Sequence, residues 1–383
     1  MLNYNLPAYV SMVSDALRVD AYARALQSVI KPGSFVIEIG TGIGVFAVMA
    51  SRLGARRVVA IEPSDAIAVA RMLAKDNGAS DIEFIQGLST SVSLPEKADV
   101  IVSDLRGVLP LFNGHLHSII DARERLLAPG GALIPAADTL YAAVVELPKA
   151  HSERKPAFSA DGTVKLDVVH RFLTNTWDRA HIEPEQLLTK GEAWATIDYL
   201  NLSAADVTGT ARLTARRDGQ AHGLAIWFDA VLTDSVTFSN APGQPGRVYG
   251  AGFFPWPRPV DVRQGDAIRV RLEARHVGEE YHWRWDSDVS SSDAPSNAKT
   301  RFQQSTLYGQ PIAPAALAKG DAARTLALDE DGRAERFILQ AMDGTASNQQ
   351  IASSLMADFP RLFPKFNDAL GRVGSVARRF GAD

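Results

Sequence analysis

The stretch VIEIGTGIGVFAVMASRLGARRVVAIEPS, residues 36–64, decides the fold. FVIEIG reads as a strand, GVFAVMASRLG as a helix and RRVVAIE as a second strand. Strands that are apolar at nearly every position are buried on both faces, which requires a parallel sheet with helices on either side. The glycines of EIGTGIG (38–44) fall in the strand-to-helix turn, at the carboxyl edge where open α/β sheets bind ligands. A dinucleotide fingerprint needs glycines at 40, 42 and 45, but position 45 is Val45, so that pattern fails. Glu38 precedes the first glycine by two residues and would repel a pyrophosphate, yet it suits a ligand carrying an ammonium and a sulfonium. Glu62 ends the next strand, where a carboxylate accepts both hydroxyls of a ribose. Together these residues point to S-adenosylmethionine.

Working outward, residues 11–30 have the spacing of one amphipathic helix, with Met12, Leu17, Tyr22, Ala25, Leu26 and Val29 on its face. After residue 64 the alternation continues through a helix (SDAIAVARMLAKDNG), strands IEFIQG and ADVIVSD, and a helix from His115 to Leu127, ending near Pro135. From Leu140 to about Gly309 the pattern becomes short β-branched and aromatic runs separated by Gly, Asp, Asn and Pro, as in an antiparallel barrel or sandwich. Residues 165–190 interrupt these runs with helical spacing and read as an inserted arm. Residues 326–383 form a last unit, expected to hold a strand (TLALDEDG) and three helices.

With 40 basic and 44 acidic residues in 383, the net charge of −4 exerts no general pull on nucleic acid or an anionic membrane. Cysteine is absent, which excludes disulfides, thiolate metal sites and a cysteine nucleophile. The scattered histidines have no metal-ligand spacing, no apolar run reaches the length of a membrane span, and the start has no signal-peptide pattern. The expectation is a cytoplasmic, soluble protein without a metal.

The segments MVSDALRVDAYARAL (12–26), residues 36–64, LPEKADVIVSD (94–104), DARERLLAPGGALIP (121–135) and GLAIWFDAVLTDSVTFSNAPGQP (223–245) resemble the protein arginine methyltransferase family. The resemblance covers roughly residues 9–310. It implies a doubly wound parallel-sheet domain binding S-adenosylmethionine (1–138), then a β-barrel domain (139–312) whose arm, about 165–190, builds a homodimer. Val168, Phe172, Leu173, Trp177 and Leu187 would form the apolar stripe of that arm. By the same resemblance Arg18 binds the methionine carboxylate, Gly40 and Gly42 approach the ligand, and Glu38 takes its ammonium or ribose edge. Glu62 takes the ribose, while Thr90 and Tyr9 fall at positions where the family places a glutamate and often a histidine.

The acceptor loop SDLRGVLPLFNG (103–114) departs from the family, whose two loop glutamates grip a guanidinium. Those positions are Asp104 and Asn113 here, with Arg106 between them. The segment matching the family's Thr-His-Trp triplet reads Gly246-Arg247-Val248-Tyr249, placing Arg247 and Tyr249 beside the acceptor. A carboxylate and a histidine have thus given way to an amide and two arginines, which favours a neutral or anionic acceptor over arginine. The sequence reading is a methyltransferase of a peptide or protein side chain other than ordinary arginine. A true arginine N-methyltransferase using Asp104 and Asn113, and a non-catalytic peptide-binding scaffold, stand as alternatives. Residues 326–383 resemble small winged-helix peptide-binding domains, making a precursor peptide a candidate partner, and their lack of a basic stripe argues against DNA.

Overall fold

The computed structural model describes residues 5–154, 166–244 and 248–382, excluding the side chains of residues 294–298 and 316. Arg247 and the first residue of the expected arm therefore lie outside the described residues. The chain divides into two compact units, Met1–Pro311 and Ile312–Asp383.

The first unit begins with α1 (Leu6–Val13) and α2 (Ala16–Val29). These are two helices where the sequence spacing predicted one. Asp15 makes the break: its backbone leaves the helical region, and its carboxylate accepts from the Arg18 amide at 3.3 Å, starting α2 afresh. Then follow β1 (Phe35–Ile39), α3 (Val45–Arg52), β2 (Arg57–Glu62), α4 (Ala66–Asp76), β3 (Glu83–Gln86), β4 (Ala98–Ser103), α5 (His115–Arg125) and β5 (Leu127–Ile134). The five strands pair in parallel in the order β3-β2-β1-β4-β5. Every residue of β1 is buried, as its apolar run requires. The order reverses between β1 and β4, so their carboxyl ends, Glu38-Ile39 and Ser103-Asp104, flank one crevice.

The antiparallel strands are β6 (Ala137–Val145), β7 (Asp178–Ala180), β8 (Glu192–Asp198), β9 (Val207–Thr214), β10 (Gly219–Thr233), β11 (Val236–Ser239), β12 (Ala251–Val262), β13 (Ala267–Val277), β14 (Glu280–Ser291) and β15 (Ala294–Ser305). They make two hydrogen-bonded sheets, β7-β12-β10-β6-β8 with β11 on β10, and β15-β14-β13-β9. A closed barrel was expected. Among the described residues no ladder joins β8 to β9, and only the isolated bridge Thr189↔Ala215 links the segments beside them. One apolar core runs from the parallel sheet (Tyr22, Ile37, Val102) into the antiparallel sheets (Phe228, Trp256, Trp283).

After the short α6 (Pro148–Ser152), the described part of the expected arm holds α7 (Asp167–Leu173) and a 3-10 turn (Pro184–Gln186), with β7 between them paired to β12. Its apolar stripe is divided. Trp177 stacks on Phe254 at 5.3 Å and Leu187 packs on the local core, whereas Val168, Val169 and Phe172 remain exposed.

The second unit contains α9 (Glu330–Ala341), α10 (Asn348–Asp358) and α11 (Phe366–Phe380), packed through Ile338, Ile351, Leu355, Val373 and Val376, after the short α8 (Pro314–Lys319). The strand expected in TLALDEDG is not formed: Leu326 and Leu328 are exposed without a ladder partner, and Asp329 caps α9 through the Gly332 amide. Strand addition by a bound peptide therefore finds no edge among the described residues of this unit.

Candidate functional site

The glycine turn is held from both sides by carboxylates. Glu62 accepts from the Gly42 amide at 2.9 Å with one oxygen and from the Ser64 amide at 3.0 Å with the other. Glu38 accepts from the Thr41 hydroxyl at 2.5 Å and the Ala47 amide at 2.8 Å, both with the same oxygen. Burial pushes its carboxyl up to about 8, against those two hydrogen bonds. Glu38, 3% exposed, thus ties the turn to the start of α3 through a single oxygen.

Gly40 and Gly42 have φ of +72° and +54°. A Cβ at Gly40 would lie 2.2 Å from the Leu105 side chain, and one at Gly42 would lie 2.6 Å from the Tyr9 ring. Both positions need glycine for conformation and for close approach. Tyr9 on α1 is accordingly brought to the turn, its hydroxyl 3.5 Å from Ser64. Thr90 is exposed in a short 3-10 turn beyond β3, at the same carboxyl edge.

Asp104 follows β4 and is the centre of the second cluster, with its side chain 5% exposed. Arg18 donates Nε–H to its Oδ2 at 2.6 Å, and Tyr249 donates its hydroxyl to the same oxygen at 2.5 Å. Arg106 donates Nε–H to Oδ1 at 3.1 Å. Burial would raise the Asp104 carboxyl, but the charges of Arg18 and Arg106 and the Tyr249 hydrogen bond hold it well below the usual carboxylate range. Tyr249 moves the opposite way: burial and the Asp104 charge push its phenol up, so it remains a donor.

Arg106 was expected beside the acceptor as an uncompensated cation. Its side chain is instead wholly buried and turned into the protein. Nη1–H reaches Asp138 at 3.0 Å, Nη2–H reaches the Tyr22 hydroxyl at 2.5 Å, and the guanidinium lies 4.9 Å from the Phe228 ring centre. Tyr199 donates to the other oxygen of Asp138 at 2.6 Å. Burial opposes the charge on Arg106, and the neighbouring Tyr22, Asp138 and Asp104 outweigh it. Arg18 is anchored similarly, by Asp104, by the Met12 carbonyl at 3.1 Å and by the Phe46 ring at 5.2 Å.

Asn113 ends the loop at φ +43°, directly before α5, and is half-buried. It has no side-chain hydrogen bond to the Asp104 cluster among the described residues. His115 behind it donates its Nδ1–H to the Pro110 carbonyl at 2.8 Å, and burial lowers its ring to about 4. Tyr22, Asp138 and Tyr199 escaped the sequence reading. Asp138 had one visible signal, a carboxylate inside the otherwise apolar start of β6, and Tyr22 lies four residues after Arg18, one turn along the same face.

The donor set fits a ligand with a carboxylate at one end and ribose hydroxyls at the other. Arg18 lies at one side of the turn and Glu62 at the other, with positive-φ glycines between them. Among the described residues no group of three or more His, Asp or Glu could hold a metal ion, and no helix is long and apolar enough to cross a membrane.

Comparison with known proteins agrees with this division. The family model for ribosomal protein L11 methyltransferase matches residues 22–136, and that for the arginine methyltransferase oligomerization subdomain matches residues 136–290. A probable protein arginine N-methyltransferase 6 of Arabidopsis thaliana is 29% identical over 247 residues, 62% of this chain and 55% of its own length. The chain thus spans about half of that relative. An arginine N(omega)-methyltransferase of Streptomyces achromogenes subsp. streptozoticus is 28% identical over 288 residues, 70% of this chain and 76% of its own. Among solved structures, the Trypanosoma brucei PRMT1 enzyme-prozyme heterotetrameric complex with AdoHcy superposes with a TM-score of 0.71 at 20% identity, covering 78% of this chain and 96% of that one. Protein arginine methyltransferase 10 of Arabidopsis thaliana superposes with a TM-score of 0.69 at 22% identity, covering 79% and 98%. At those identities the structures attest to the fold.

Proposed function

The chain belongs to the protein arginine methyltransferase family, and from that premise we propose that it transfers a methyl group from S-adenosylmethionine to an arginine guanidinium of a peptide or protein. One observation carries the choice of acceptor: Asp104 already takes a guanidinium, that of Arg18, on Oδ2 at 2.6 Å. The preference for a neutral or anionic acceptor rested on two cations facing the loop. Arg106 is turned away and neutralised by Asp104 and Asp138, so this cation no longer argues against a guanidinium acceptor, while Arg247 lies outside the described residues.

In this reading Glu62 takes the ribose hydroxyls and Arg18 the carboxylate of the cofactor, over Gly40 and Gly42. Bound S-adenosylmethionine supplies a methyl group already activated by its sulfonium. The chain's own task is alignment and charge placement. Asp104 Oδ2 orients the acceptor guanidinium and holds its charge on one side, freeing the opposite nitrogen. A carboxylate held so far below its usual range is a poor base, so the departing proton goes to solvent rather than to Asp104. Asn113 stands where a second carboxylate would grip the acceptor and contributes at most an uncharged hydrogen bond.

The exposed Val168, Val169 and Phe172 of α7 suit an isologous contact with a second copy of the chain. A single monomeric species in sedimentation at micromolar concentration would remove that part of the reading.

The test of function is transfer of labelled methyl from S-adenosylmethionine to arginine-containing peptides, followed by acid hydrolysis. Labelled methylarginine is expected. Label on another residue, or none on any peptide, would overturn the assignment.

A further inference from the structure

We propose that Arg106 is a positioning residue for the reaction: it pins Oδ1 of Asp104 against the antiparallel domain and so sets the direction of Oδ2, the oxygen shared by Arg18, Tyr249 and the acceptor. The inference rests on Asp104 being the acceptor carboxylate.

The geometry divides the two oxygens cleanly. Oδ1 is bound to Arg106 Nε at 3.1 Å, whereas Oδ2 meets the buried side chains of Arg18 and Tyr249. Arg106 is itself immobilised. Its remaining nitrogens go to Asp138 on β6 and to Tyr22 on α2, Asp138 is fixed in turn by Tyr199, and Phe228 on β10 covers the guanidinium. The planar fork suits this task because each of its nitrogens points in a set direction.

The charges also add up. Arg106 is shared between Asp104 and Asp138, and Arg18 and Tyr249 meet Oδ2 of Asp104, so the cluster is close to charge balance before an acceptor binds. A loop with two carboxylates fixes a guanidinium at two points; with Asn113 at the second point, the direction of the single remaining carboxylate matters more. Burial alone would raise that carboxyl, and Arg106 is one of the two cations that keep it ionised.

The test uses the full chain and three variants. Arg106→Lys keeps a cation near Asp138 but loses the fork, and kcat/KM for an arginine peptide is expected to fall about ten- to a hundred-fold. Binding of S-adenosylhomocysteine, measured by calorimetry, is expected to change by no more than about two-fold. Arg106→Met with Asp138→Asn removes the buried pair as a unit, avoiding an uncompensated charge. In that variant the acid limb of the pH–rate profile should move up toward neutrality, a change that simple loosening of the core does not produce. Unaltered kcat/KM in Arg106→Lys overturns the inference, as does an unmoved acid limb in a cooperatively melting double variant. If the double variant does not fold, the Arg106→Lys result decides. Asp104→Asn separates the two levels of argument: if it retains full turnover, the acceptor assignment itself fails. If it abolishes turnover while both Arg106 variants behave as wild type, only the positioning role fails.

Discussion

The two edges of the crevice are built on different principles. On the cofactor side, the groups that shape the turn come from within 27 residues of one another, Glu38 to Ser64, and bind backbone amides. On the acceptor side, Asp104 is held by Arg18, Arg106 and Tyr249, and Arg106 by Tyr22 and Asp138, residues up to 231 positions apart. The first edge is a local strand-turn-helix device. The second exists only once both layers of the first unit have packed, and it depends on charge balance rather than on backbone geometry.

The largest expected effect lies on the acceptor edge. Asp104→Asn removes the carboxylate proposed to hold the acceptor and leaves Arg18 and Arg106 short of a counter-charge. Losing a charged hydrogen bond while stranding buried charge should lower kcat/KM by more than about a hundred-fold. S-adenosylhomocysteine binding should survive, and equal losses of binding and turnover would show that the two edges are not separable.

On the cofactor edge, Glu62→Ala removes the acceptor for the Gly42 and Ser64 amides together with the proposed ribose contact. Affinity for S-adenosylhomocysteine in calorimetry should fall by about ten- to a hundred-fold, or ~1.5–3 kcal/mol. Unchanged affinity would sink the assignment of the glycine turn.

A smaller effect separates Glu38 from Glu62. Its folded-state carboxyl is raised from 4.5 to about 8, so between those values the native state binds a proton that the unfolded chain has released. Stability is therefore fully retained below about pH 4.5 and falls as pH rises through about 8. Glu38→Gln should flatten that part of the profile in denaturant titrations over a pH series. An unaltered slope would show that Glu38 is not the titrating group.

The smallest effect is expected of Asn113→Glu. It restores a second carboxylate but places a glutamate at φ +43°, where asparagine is better tolerated. A few-fold rise in turnover on arginine peptides, with a stability loss of about 1 kcal/mol, is the expected balance. A drop in turnover would mean that the amide itself serves the acceptor.

These contrasts explain what could be seen in advance. The parallel sheet, the glycine turn and Glu62 were legible because each rests on local periodicity: buried strands are apolar throughout, and a tight turn under close contacts requires glycine. Asp15 shows the limit of that periodicity. The apolar spacing runs unbroken through residues 11–30, but one capping carboxylate divides the helix. In TLALDEDG the β-branched and apolar pattern is that of a strand, yet a strand needs a partner and none is present among the described residues.

By itself the sequence determined the α/β class, the cofactor edge and the family resemblance, since residue type and short spacing dictate all three. It also placed Asp104, Arg106 and Asn113 in the loop between β4 and α5. Only the tertiary structure decided what those residues face. Asp138, held by Tyr199, accepts from Arg106 across the junction with the antiparallel sheets, and a buried cation turns toward the carboxylates that can compensate it. Whether an arginine repels a substrate or holds a carboxylate in place depends on that direction, which is set by long-range packing.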